Sequence, residues 1–331
     1  MEACGSTAEG ASDASSPSTT QGHRPLDFSR EIAWCRAQEA SQASPLVVDP
    51  YAEALAATAP QNKRPVPDAA TYAQHVAATK YIDEVLINVM DATSVNTINE
   101  GDYRQVVLLG DGFDTRPFRL LWPQGTVIFL VAPSECHELA EAVLKQAGAK
   151  VPRGCLLRRV NTDLKRPDPS FATELLAAGF RGDRVSAWAL QGLSPLGLRS
   201  SQLGLSALGL RTSQLASLLV DVSSLAAFHS LVLGELPAME RSDADNLLAD
   251  AGLLGTTVPL DGPKTSFRQC IASEAGASDA GGAGSGASAP HAHVWLFSTQ
   301  QMRLSDAQMS THRAYSEEFE GLDEDFMDNV S

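Results

Sequence analysis

Basic residues are scarce in this chain: 25 lysines and arginines stand against 40 aspartates and glutamates, a formal net charge of -15 over 331 residues. Gripping a phosphate backbone needs cations grouped on one surface, so nucleic acid is not an expected partner. Cysteine is scarce as well. Cys4, Cys35, Cys136, Cys155 and Cys270 are odd in number, scattered, and form no C-x-x-C pair; neither a disulfide framework nor a zinc site is suggested, and a reducing compartment such as the cytoplasm fits best. Cys136 beside His137 is not a thiol with its base, because sequence neighbours on a helix do not face each other. Long apolar runs are missing: none reaches the length of a membrane span, so no membrane partner is expected. The opening stretch "MEACGSTAEGASDASSPSTTQGHR" lacks both the apolar centre of a secretory signal and the arginine-rich face of a mitochondrial one. It reads as a disordered leader, 1–26, whose serines and threonines leave a plastid address open.

Hydrophobic residues make up 44% of the chain, enough for one large domain with a substantial core. Apolar positions recur at helical spacing from Asp27 to about Leu55, with a break at "VVDP", and again from Thr71 to Met90. Val106 to Leu109 and Thr126 to Val131 are wholly apolar runs, the signature of strands buried on both faces of a parallel sheet. "SECHELAEAVLKQAG" reads as helix, "GCLLRRVNTDL" as strand into loop, "SFATELLAAGF" as helix and "RVSAWAL" as strand. "FHSLVLGEL" follows as strand and "SDADNLLADAGL" as a helix capped by Ser242 or Asp243, with "SFRQCIAS" and "HVWLFST" as two late strands. This alternation argues a doubly wound α/β sheet. A local duplication, 196–219, has two units where a leucine-rich array needs three or more, and reads as a small insertion. The low-complexity stretch 274–292 is expected to be a flexible loop and the acidic end, 313–331, a solvated tail. His291 and His293 flank that loop without further ligands, so no metal is expected.

Between the first two strands lies "GDGFDTRPFRL". In a strand, turn and helix unit the glycines let backbone amides approach a polar or anionic ligand, and the helix N-terminus adds a favourable partial charge. Asp114 or Thr115 can cap the helix, with Pro117 early enough to be tolerated. The third glycine of a dinucleotide turn is absent, which places a nicotinamide dehydrogenase far behind other readings.

The full phrase "VVLLGDGFDTRPFRL" resembles the signature of the leucine carboxyl methyltransferase-like family of S-adenosylmethionine-dependent O-methyltransferases, whose turn reads G-A-G-x-D-T-R. The likeness extends to "AWCRAQEASQASPLVVDPYAEAL", "KYIDEVL", "NTDL", "LQGLSPL" and "SDADNLLADAGL", in the family's order from about Asp27 to Thr299. It implies a seven-stranded, mostly parallel, Rossmann-like class I methyltransferase sheet over 27–312, with an N-terminal helical cap, 27–100. S-adenosyl-L-methionine would bind across the carboxyl ends of the strands. Carried over residue by residue, Gly110 and Gly112 would line its methionine part, Asp163 and Leu164 its adenine, and Arg36 or Lys80 would face its carboxylate or a carboxylate substrate.

The departures sharpen the question. The family's second strand ends in E-x-D, whose aspartate grips the ribose hydroxyls; the corresponding residues here are Leu130 and Ala132, and Glu135 lies three positions on. The family's arginine before the "TKYID"-like segment is Ala78, leaving Lys80 as an imperfect stand-in. The glutamate of E-G-L is Gln191, and the middle alanine of the turn is Asp111, which would repel a cofactor carboxylate placed beside it. Each lost charge-assisted contact costs about 1.5 to 3 kcal/mol. Two functions are therefore weighed: O-methyl transfer to a carboxylate or hydroxyl of a small-molecule or protein acceptor, and a catalytically silent member serving as a binding module. Methyl transfer to an anionic oxygen needs positioning more than a base, and His75, His137 and His229 read as packing residues.

Overall fold

The computed structural model describes residues 25–60, 66–91, 102–164, 171–192, 212–260 and 293–311. The order of elements is α1 (Pro25–Ala40), α2 (Ala52–Ala56), α3 (Ala69–Asp91), β1 (Gln105–Leu109), α4 (Arg116–Arg119), β2 (Val127–Ala132), α5 (Ser134–Gln146), β3 (Leu156–Asn161), α6 (Phe171–Ala177), β4 (Ser186–Leu190), α7 (Thr212–Leu225), β5 (Leu231–Met239), α8 (Arg241–Asp250), β6 (Leu253–Pro259) and β7 (His293–Gln301). The strands form one seven-stranded sheet in the order β3-β2-β1-β4-β5-β7-β6. β1 to β5 run parallel and β7 lies antiparallel between β5 and β6. The expected doubly wound, mostly parallel sheet is what forms.

The continuous apolar runs explain the centre of that sheet. Every residue of β1 and β4 is buried, and successive side chains point to opposite faces. Val107, Leu109, Phe129, Val131, Trp188 and Leu190 join one core with Leu215, Leu219 and Val222 of α7 and Phe28 and Ile32 of α1. Their neighbours Val106, Leu108, Ile128, Leu130, Ala187 and Ala189 join another with Ile82, Leu86 and Met90 of α3. Each such aliphatic side chain contributes roughly 1.5–3 kcal/mol by leaving water. Phe180 meets Phe129 edge-on at 5.7 Å and Trp188 at 5.3 Å, closing the first core.

Several expectations need correction. The first helix begins at Pro25, inside the stretch read as a leader, because Phe28 and Ile32 have a core to enter. Helix α8 takes Glu240 as its N-cap, not Ser242 or Asp243, with no side-chain cap bond. Thr115 caps α4 in backbone position only; its hydroxyl donates instead to Asp49, at 2.6 Å, and Asp114 Oδ1 accepts the Arg116 amide, at 2.9 Å. β6, "LLGTTVP", is not among the expected strands: Gly255 interrupts its pattern, and at the sheet edge Leu253 is its one buried residue. The "SFRQCIAS" strand, the 274–292 loop, His291 and the acidic tail lie outside the described residues, as do the leader before Pro25 and all of the duplication up to Arg211.

Candidate functional site

Strand order reverses between β1 and β4: β2 and β3 lie to one side of β1, β4 and β5 to the other. At such a switch the loops leaving the strands part, and the crevice outside the carboxyl ends is where doubly wound sheets hold ligands. A shallow cleft opens there, lined by Pro25, Gly110, Val131, Ala132, Pro133, Thr162, Asp163 and Leu164. The ends of β1, β2 and β3 supply all but Pro25, which α1 brings over the top. Gly110 is in the left-handed region, at φ 108°, where a side chain would be strained. The two elements singled out in the sequence, the glycine turn and the "NTDL" segment, therefore flank one opening through Gly110, Asp163 and Leu164.

The β2 side of that opening is apolar. Ala132 is the last residue of β2 and lines the cleft between Val131 and Pro133. Glu135 does not replace the missing acid: it lies exposed in the first turn of α5 and is not among the lining residues. Leu130 packs into the core with Ile82 and Leu86 of α3.

Beyond Gly110 the turn is closed. Asp111 is buried, and its Oδ2 accepts from Arg36 Nη1 at 2.6 Å. Arg36 Nη2 donates to the Phe113 carbonyl at 2.7 Å, and its Nε lies 2.9 Å from Asp49 Oδ2, an ion-pair contact without hydrogen-bond alignment. Gly112 does not face open space either: its amide donates to Ser29 Oγ at 2.9 Å, and an added Cβ would come within 2.5 Å of Cys136 Cβ. Burial pushes the Asp111 carboxyl above the ordinary range; Arg36 pulls it down and Asp114 pushes it up again. Arg36 is held charged: burial alone would lower its pKa, but Asp111, Asp49 and Asp114 outweigh that and raise it.

A second buried cluster adjoins the first. Arg116 donates from Nε to Asp83 at 2.7 Å, from Nη1 to Asp114 at 2.6 Å and from Nη2 to Gln191 Oε1 at 2.9 Å. Gln191 then donates to Thr79 Oγ1 at 3.0 Å, so both ends of its amide are engaged. Arg119 bonds both oxygens of Asp83, at 2.5 and 2.9 Å. For Asp83, burial favours the neutral form, yet the two guanidiniums prevail and hold the carboxyl below its ordinary value. Arg36, Asp49, Asp83, Asp111, Asp114 and Arg116 are all buried; with Arg119 the cluster sets three guanidiniums against four carboxylates, and each carboxylate lies against at least one guanidinium, the condition under which ions survive in a core.

Sequence reasoning thus brings Gly110, Ala132, Asp163 and Leu164 to the cleft, and Arg36, Asp111, Gly112 and Gln191 to the packed region behind it. Lys80 goes to neither. It lies on α3 with its Nζ 2.9 Å from Glu84 and its side chain partly in water, because its long stem points away from buried Ala78 and Thr79. Two of the three histidines pack as read: His75 lies edge-on to Phe28 at 5.8 Å, and His137 Nε2 sits 3.2 Å from the Val160 carbonyl; His229 instead lies exposed in a left-handed turn at φ 67°, its ring 4.0 Å from that of Phe228. Cys136 is no nucleophile, since burial pushes its thiol up to about 12. Three residues escaped the sequence: Thr162, which lines the cleft; Arg116; and Glu235 in β5. Glu235 is fully buried, accepts the Gly192 amide at 2.6 Å through one oxygen and, among the described residues, leaves the other without a hydrogen-bond partner. Its signal was there to read, a single acid inside the apolar run "LVLGEL". Among the described residues no group of acids, histidines and cysteines has the arrangement of a metal site.

The leucine carboxyl methyltransferase family model matches residues 30–196. Over 312 residues the chain is 31% identical to O-methyltransferase 1, chloroplastic, of Oryza sativa subsp. japonica, covering 91% of this chain and 78% of that protein. It is 34% identical over 179 residues to a Mycobacterium bovis (strain BCG / Pasteur 1173P2) protein named "Putative S-adenosyl-L-methionine-dependent methyltransferase"; that match covers 49% of this chain and about half, 54%, of the relative. Among solved structures, the CurJ carbon methyltransferase aligns with a TM-score of 0.42 at 12% identity, covering 83% of this chain and 68% of that one. The family match takes in the glycine turn, the end of β2 and the "NTDL" segment together, and the chain belongs to the leucine carboxyl methyltransferase family of S-adenosylmethionine-dependent methyltransferases.

Proposed function

We propose that this protein is an O-methyltransferase that uses S-adenosyl-L-methionine to methylate a carboxylate or hydroxyl oxygen of a small-molecule or protein acceptor. One observation carries the reading: Gly110, Ala132, Asp163 and Leu164, from three strand ends far apart in sequence, converge on a single open cleft at the sheet's switch point. The fit to the cofactor is uneven. The adenosyl half suits the cleft, where Asp163 and the Thr162 hydroxyl can accept from an adenine amine or a ribose hydroxyl and Val131, Pro133 and Leu164 pack on the ring. The amino-acid half meets a turn already filled by Ser29 and Arg36. When bound, the cofactor supplies an electrophilic methyl on sulfur, so the protein's part is to align an oxygen nucleophile with it and keep water out.

Titrating the purified full chain with S-adenosylmethionine in a calorimeter tests this directly. Binding at micromolar to sub-millimolar concentration is expected; absence of heat up to millimolar ligand rejects it. A second reading, a catalytically silent member that keeps the fold as a binding module, draws on Ala132 at the ribose position and on the neutral, fully engaged Gln191. The two separate by transfer of a labelled methyl group to any acceptor in a fractionated extract, which the silent form cannot perform. We assign a plastid or cytoplasmic location, the former because the rice relative is named as chloroplastic; among the described residues no helix is long and apolar enough to cross a membrane.

A further inference from the structure

The guanidinium of Arg36 faces inward on every side. Its Nη1 and Nη2 donate to Asp111 and the Phe113 carbonyl, its Nε lies in ion-pair contact with Asp49 without a hydrogen bond, and all the side chains involved are buried. Three amides of the turn are committed: Gly112 donates to Ser29 Oγ, Phe113 to Asp111 Oδ1 at 2.9 Å, and Asp114 to the Asp111 carbonyl at 3.2 Å. Space over the turn is filled by protein, since a Cβ at Gly112 would meet Cys136 and Ser29. Lys80 is turned away toward Glu84. Of the eight residues lining the cleft, Asp163 is the one ionisable group and none is a cation. Among the described residues, a ligand that seats an adenosyl group in the cleft and carries a carboxylate on its tail finds no free guanidinium there, and the amides of Gly112, Phe113 and Asp114 are already bonded. Past Gly110 comes Asp111, whose buried carboxylate already holds Arg36.

We propose that Asp111 supplies, from within the chain, the carboxylate that Arg36 would otherwise take from a ligand, and that Asp111 thereby sets the ligand class of the site. Adenosyl ligands are held by their nucleoside part alone, and a nucleoside thioether without an amino-acid tail binds as well as one that has it. The proposal rests on the reading of the cleft as an adenosyl site. Its physical basis is the cost of burying charge: Arg36 needs counter-ions in the core whether or not a ligand is present, and Asp111, together with Asp49, provides them permanently.

The experiment compares S-adenosylhomocysteine with 5′-methylthioadenosine by calorimetry on the full chain. Both share the adenosyl thioether, and only the first has the amino-acid tail. The wild-type protein is expected to bind the two within about threefold of each other. Asp111→Ala, and Asp111→Asn as the milder change, should strengthen S-adenosylhomocysteine binding by roughly tenfold or more, the worth of a charge-assisted pair, and leave 5′-methylthioadenosine unchanged. A wild-type preference for S-adenosylhomocysteine of tenfold or more overturns the proposal while leaving the cofactor reading intact. So does a folded variant in which the ratio of affinities does not move. The wild-type ratio decides the matter even if neither variant folds. Silence of both ligands against the wild type overturns the adenosyl reading itself, and the proposal with it.

Discussion

Ala132 and Gly112 show how one side chain decides what the cleft can hold. Placing a carboxylate at the end of β2 by Ala132→Asp puts an acid among Val131, Pro133 and the aliphatic cluster around Ala33 and Cys136. Without ligand it is expected to cost about 1–3 kcal/mol, the penalty of an unpaired buried polar group. With S-adenosylmethionine present the acid gains the ribose hydroxyls, so the rise in melting temperature on adding ligand should be larger in the variant than in the wild type. An equal rise in both would show that the ribose does not lie against position 132. At Gly112 the constraint is space: the 2.5 Å approach of an added Cβ to Cys136 Cβ leaves no room. Gly112→Ala should lower stability by about 1–3 kcal/mol in urea denaturation, and Cys136→Gly in the same chain should restore part of it. The sequence made Ala132 legible, because a ribose acid has a fixed distance from the glycine turn. It did not make the pairing of Asp111 with Arg36 legible, since the two are 75 residues apart and nothing local in either segment records the other.

Short helix α4 has four residues and cannot be stable by itself; it is held because Arg116 and Arg119 tie it to Asp83 on α3 and to Gln191 after β4. Arg116→Met would leave Asp83 with a single cation and Asp114 with none of its own, and is expected to destabilise by about 3–5 kcal/mol, read as a shift of the urea midpoint. Strands β4 and β5 are bound by a different constraint: a Cβ on Gly234 would lie 2.2 Å from the Leu190 carbonyl oxygen. Gly234→Ala therefore must push the two strands apart, and loss of soluble folded protein on expression is the expected outcome. Elements with strong periodicity or unbroken apolar runs, such as α3, α5, β1 and β2, could be read from sequence to within a residue or two. β6 could not, since an exposed edge strand has little to bury and Gly255 breaks its pattern. The duties of α4 were hidden too, because its partners come from distant elements.

Acid response belongs to the molecule as a whole. His137 has a folded pKa lowered mainly by burial, so its contribution to stability is full above the unfolded value of about 6.5 and is lost as pH falls from there through the lower folded value. Asp83 is likewise depressed in the folded state, by Arg119 and Arg116 against the opposing effect of burial; its contribution is full above about 3.9 and is lost as pH falls through its folded value. Melting temperature is therefore expected to decline in two stages, one beginning near pH 6 and one below pH 4. His137→Gln should flatten the first and leave the second, and a single-stage decline in the wild type would refute the assignment. Arg36, meanwhile, leaves the ribosome well before the turn that neutralises it, 75 residues downstream. Until Asp111 is synthesised, α1 has a cation with no buried counter-charge beyond Asp49 and no sheet to lie on. The N-terminal helices therefore reach their final packing only after β1 and its turn have emerged from the ribosome.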